Sequence, residues 1–232
     1  MALSTSQPNQ NAVVSEPIYR KVQRACLAVC IVLAPLVIFL GFLCDPQLGV
    51  PDWNTIISTW QAANPLRLQL FLFFNVVTPL FFPLSYIGLG LLAMKRSPWL
   101  ALAGIACGLV GSLPWPFFVE AEAMIYALAH IGNSAATAAV LSNTSAVWVG
   151  VLLQYCWVIG HLLGYVLLGI ALFRARTIPL WAAALIIASV PFQMIAYPMH
   201  QGWLQISGFV LVFIGSIPAA LAMLKRPEEE KH

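Results

Sequence analysis

Six stretches of about 20 or more largely apolar residues follow one another along this chain. A run of that length is what an α-helix needs to cross the hydrocarbon core of a bilayer. They fall at about 22–44, 67–94, 98–120, 147–173, 178–197 and 203–224. The runs are continuously apolar rather than alternating, so they do not read as the strands of a membrane barrel. Composition agrees: 61% of the residues are hydrophobic and 8% charged, where a soluble domain carries about 25% charged residues. The expectation is an all-α polytopic membrane protein, a six-helix transmembrane bundle over residues 18–226, with the lipid bilayer as its solvent.

The few basic residues are placed asymmetrically. Arg20, Lys21 and Arg24 precede the first run, Lys95 and Arg96 lie between the second and third, Arg174 and Arg176 between the fourth and fifth, and Lys225, Arg226 and Lys231 follow the sixth. Threading six spans puts all of these on one side and leaves only Arg67 on the other. By the positive-inside rule both termini are expected in the cytoplasm. Residues 1–17 are polar, lack the apolar core of a signal peptide, and read as a disordered tail; residues 227–232 read as a short charged tail.

Between the first two spans, "PDWNTIISTWQAANP" sets Trp53, Ile56, Ile57 and Trp60 at helical spacing. This predicts an amphipathic helix over about 52–64, lying at the outer membrane interface. Glycines four apart in "GIACG" (Gly104, Gly108) and "GHLLG" (Gly160, Gly164) let helix backbones approach closely. That spacing fits packing within the bundle, and also a helix-mediated oligomer.

Polar residues inside the spans need partners or a reason. Counting inward at ~1.5 Å per residue, Asn75, Gln154 and Gln193 fall in the outer half of the bilayer and His161 near its midplane. They suggest an outward-opening polar layer contributed by several helices. The stretch "GSLPWPFFVEAEAM" adds Pro114 and Pro116, expected to kink the third span as it leaves the membrane, followed by Glu120 and Glu122. Two residues apart on a helix, these carboxylates point in different directions. Either both are solvated at the water boundary, or one turns inward; Glu120 is the expected inward one. Prolines in the second and fifth spans free backbone carbonyls that must be buried or face a wet cavity.

No phosphate loop, nucleophile elbow or zinc-protease motif is present, and there is no basic aromatic patch for nucleic acid. His130 and His200 sit too shallow to pair with His161 on a haem, and no three or four ligands gather at one depth for zinc. No cofactor and no metal are expected. The five cysteines form no CxxC pair, and those inside the spans read as small hydrophobes.

The stretch "WVIGHLLGYVLLGIALFRARTIPLWAAALIIASVPFQMI" joins a glycine-bearing helix, a short basic turn and a helix opened by "IPLW". It resembles the fourth-to-fifth helix hairpin of small bacterial multi-span membrane proteins of unknown function. The resemblance covers about a fifth of the chain. It implies a protein of the bacterial inner membrane and carries over no catalytic residue.

The leading functional expectation is binding or transport of a small amphipathic molecule or lipid, in an outward-facing pocket made by spans two to five. Asn75, Gln154 and Gln193 would orient it, with Glu120 and His161 above and below. Two alternatives stay open: a membrane-embedded enzyme using Glu120 or His161 as acid or base, and an assembly partner of another membrane protein.

Overall fold

The computed structural model describes residues 17–50, 52–131, 134–145 and 147–225. Apart from Pro17, the two expected tails lie outside the described residues. Among those described, nine helices occur in the order α1 (Ile18–Cys44), α2 (Trp53–Ala62), α3 (Pro65–Ala93), α4 (Pro98–Ser112), α5 (Trp115–Ala129), α6 (Ser134–Ser145), α7 (Trp148–Ala175), α8 (Leu180–Met199) and α9 (Gly202–Lys225). Six segments are long and apolar enough to cross a membrane: α1, α3, α4 with α5, α7, α8 and α9. The protein is an integral membrane protein. Its outer faces carry the side chains that lipid requires, among them Phe73, Leu80, Leu113 and Leu152, each exposed by half or more.

The spans alternate in direction. Ile31 meets Gly88 while Gly41 meets Phe74, so α1 and α3 run antiparallel; Gly104, Gly108 and Gly111 meet Leu168, Gly164 and Gly160, so α4 and α7 do the same. The bundle therefore has two distinct ends. At the hairpin end lie both described chain ends and the turns after α3 and α7. Arg96 there donates from Nη1 to the Ala175 carbonyl at 2.9 Å, tying the two turns together. At the cap end lie α2, α6 and the loops at 45–50 and 200–201. Of the described lysines and arginines, only Arg67 belongs to the cap end.

The glycine rows are spent inside the bundle. A Cβ on Gly160 would come within 2.6 Å of the Gly111 Cα, and one on Gly108 would enter the Tyr86 ring. Only hydrogen side chains allow α4 and α7 to approach this closely. The rows are thus covered, and offer no exposed stripe to a partner.

The third span is broken. The α-helical ladder stops at Ser112; Leu113 N–H bonds back only to Val110, and Pro114 carbonyl restarts the ladder by accepting from Phe117 and Phe118. Pro114 and Pro116 have no N–H to give to the preceding turn, which is why the helix breaks here. The second half then continues to Ala129, well past the expected end near 120.

The amphipathic helix α2 is capped by Asp52, whose carboxylate accepts from Thr55 N–H at 2.9 Å. Its apolar face is covered by protein rather than by lipid. Trp60 stands edge-on to Phe71 with centroids 5.7 Å apart, and Ile56 and Ile57 are buried in the same cluster as Ile125, Ala138 and Leu141. Gln61 secures it by donating to the Ala129 carbonyl at 2.6 Å.

Candidate functional site

Pro79 in α3 lacks the N–H that would have bonded to the Asn75 carbonyl one turn earlier. That carbonyl is taken instead by the Trp115 indole N–H at 2.8 Å. The bond docks the start of α5 onto the middle of α3 and fixes which face of α5 looks inward. Counting from Trp115 at helical spacing, Phe118, Glu122, Ile125 and Ala129 follow on that face. Glu122 therefore turns into the protein, and Glu120 is exposed. This reverses the expectation that Glu120 would be the inward carboxylate.

Glu122 lines a cavity of about 500 Å³ at the cap end. Its floor is aromatic, formed by Trp115 and Trp157, whose rings pack at 4.5 Å, with Phe42 and Phe118 beside them. Its polar lining comes from Asp45, Gln47, Asn75, Glu122, Gln154, Tyr197, His200 and Gln205. All six spans contribute, so the cavity is wider in origin than the expected pocket made by spans two to five. No lysine or arginine is among its described lining residues.

Asp45, at the end of α1, is a site residue that the sequence reading passed over. Its side chain is 6% exposed and accepts from Gln47 N–H at 2.9 Å. Burial pushes its carboxyl up to about 7, against the opposing pull of that hydrogen bond and of the Arg67 charge. Arg67 stays at the rim, donating to the carbonyls of Cys44 and Asp45 at 3.1 and 2.9 Å. Glu122 is close enough to Asp45 for the two charges to interact, and its Oε2 is buried without a hydrogen-bond partner. The signals available in sequence were a lone acid just past the first span and the seven-residue step from Trp115 to Glu122.

His161 is fully buried beneath this cavity and is not part of its lining. Its ring stacks on Trp157 with centroids 4.1 Å apart and faces Phe209 on the other side at 6.4 Å. Nδ1 lies 2.7 Å from the Trp157 carbonyl, and Nε2 lies 2.9 Å from Gln193 Oε1 and 3.4 Å from the Tyr197 hydroxyl. A carbonyl accepts only, so Nδ1 carries the proton and a neutral ring offers Nε2 as an acceptor. The Gln193 amide complements that ring when its NH2 faces Nε2. The same turn of the amide gives a partner to the Gln193 Nε2, otherwise buried without one.

The expected polar layer therefore separates into two sets. His161 and Gln193 form a buried cross-link between α7 and α8. Asn75 lines the cavity and donates its Nδ2 to the Phe71 carbonyl at 3.2 Å. Gln154 lines the cavity too, but is exposed. Among the described residues no three His, Cys, Asp or Glu side chains gather as a metal site. No family model, no curated protein and no solved structure matches the chain.

Proposed function

We propose that this integral membrane protein binds or carries a small amphipathic molecule in the cavity at its cap end. The observation that carries the reading is the composition of that cavity: an aromatic floor of Trp115 and Trp157 beneath two carboxyl side chains, Asp45 and Glu122, in about 500 Å³. A space of that size, apolar below with a few convergent polar groups, is the usual form of a small-molecule site. The basic hairpin end is read as cytoplasmic under the positive-inside rule. The cavity then belongs to the outer side of the membrane, and the hairpin resemblance makes a bacterial inner membrane the setting.

Nothing favours the acid–base reading to the same degree. His161 is sealed from the cavity by Trp157 and Tyr197, and Glu120 points away from it. The assembly reading loses its glycine stripe to internal packing.

The test is a high-resolution map of the protein extracted directly into native-lipid discs. Ordered non-protein density against Trp115, Asn75 and Glu122 is the expected result. A cavity closed by side chains, or holding only water, would sink the reading.

A further inference from the structure

Resting on that reading, the surroundings of the cavity narrow the class of ligand. Beside it, between α5 and α7, runs a second space of about 520 Å³ with apolar walls that include Phe117, Met124, Leu141 and Val151. The two spaces are bordered in common by Phe118, Ala121, Ile125 and Gln154. α5 packs mainly against α2, α3 and α6; it meets α7 where Trp115 packs on Trp157 and otherwise makes little contact with it. The groove is therefore a gap in the wall of the bundle, on a face where Phe117, Val151 and Tyr155 are exposed.

The charges facing the cavity are unbalanced. Asp45 and Glu122 line it, Arg67 is held at the rim on two backbone carbonyls, and His200 and the Tyr197 hydroxyl complete the titratable set. A buried carboxylate oxygen without a donor is costly unless something positive approaches it, and Glu122 Oε2 is such an atom. Aromatic faces beneath the acids suit an ammonium head, because a cation is attracted to the ring face and loses less on leaving water there.

We propose that the ligand is a single-chain cationic amphiphile. Its ammonium head lies between Asp45 and Glu122 over Trp115 and Trp157, and its alkyl tail leaves through the gap between α5 and α7. An anionic amphiphile would bring its charge to two carboxyl groups, with no lysine or arginine among the described lining residues to receive it. A head group without a tail would forgo the groove.

The experiment uses the full chain purified in neutral dodecyl maltoside, with radiolabelled decyltrimethylammonium as the probe. The competitors are decanol, decanoate and tetramethylammonium. Saturable binding is expected, with decanol and tetramethylammonium each competing at least about tenfold less well, and decanoate not at all. Glu122→Gln should weaken binding by about tenfold or more. Asp45→Asn, which keeps an acceptor for Gln47 N–H, should weaken it as well, so the result does not hang on one variant's folding. Ala121→Trp should block the junction of the two spaces and abolish binding. If decanol competes as well as the cation and Glu122→Gln binds normally, the charge assignment is wrong while the amphiphile cavity stands. If no decyl compound binds saturably, both fall together.

Discussion

The Trp115 indole N–H donates to the Asn75 carbonyl at 2.8 Å, supplying the hydrogen bond that Pro79 withholds from its own helix. Two features that break helices, a proline in α3 and a Pro-Trp-Pro in the third span, thus complete one another. Trp115→Phe keeps an aromatic ring but removes the donor together with half of the indole, leaving a buried carbonyl unpaired beside a small void. The hydrogen bond's share of the expected loss is about 1 kcal/mol, within the range of hydrogen bonds between membrane helices. Pro79→Ala restores an N–H to that carbonyl, so in its background the Trp115→Phe penalty should shrink by about that share. Equal penalties in both backgrounds, read by detergent unfolding, would show the bond to be energetically idle.

Backbone contact between α4 and α7 makes a second expectation. Gly160→Ala would force a methyl to within 2.6 Å of the Gly111 Cα. It should cost about 1–3 kcal/mol, as overpacked cores do. Ala103→Leu, on the exposed side of α4, adds more volume and should cost close to nothing. If the two variants unfold alike, the tight crossing contributes no stability.

Hydrogen-bond arithmetic at His161 specifies a tautomer. Nitrogen NMR of selectively labelled protein should report a neutral ring protonated at Nδ1, facing the Trp157 carbonyl. Gln193→Leu removes the partner of Nε2, and with His161→Phe it should give a non-additive double-mutant cycle, since the two side chains act as one cross-link. A ring protonated at Nε2 would contradict this geometry.

Asp45 makes stability depend on pH in a stated direction. Its carboxyl is lifted to about 7 in the folded protein, above the ordinary aspartate value of about 3.9. The folded state therefore holds a proton that the unfolded chain has already lost. Stability is greatest below about pH 4 for this group and declines as pH rises toward 7, by up to about 1.4 kcal/mol per pH unit. Thermal unfolding between pH 5 and 8 should show the decline in the natural protein and a flatter profile in Asp45→Asn. A profile unchanged by that substitution would assign the slope to groups other than Asp45.

The bundle was legible from the six apolar runs, because lipid forces backbone polar groups to pair within each segment. The intramolecular use of Gly104, Gly108, Gly160 and Gly164 was legible as well, although their spacing alone also allowed a dimer. The choice between Glu120 and Glu122 was not. It turns on the rotation of α5 about its own axis, which is set by a contact from Trp115 to a residue 40 positions away in sequence. Asp45 was missed for a related reason. An acid just beyond a span looks like a water-boundary residue until α2 and the loop at 45–50 close over it, and those long-range contacts leave no periodic trace. His161 was legible as a polar residue inside a span that needs a partner, but that partner, Gln193, lies on a different helix, and their 2.9 Å contact depends on the register of α7 against α8.

The break at Leu113–Pro114 gives one span two mechanical characters. Below it, α4 is pressed against α7 at van der Waals distance and behaves as a stiff post. Above it, α5 meets α7 where Trp115 packs on Trp157 and otherwise rests against α2, α3 and α6. A load that spreads the cap end would be taken up at the joint, as rotation about two residues, before it deformed either helix. The compliance of the molecule is therefore concentrated beside the one wall that the cavity and the lipid-facing groove share.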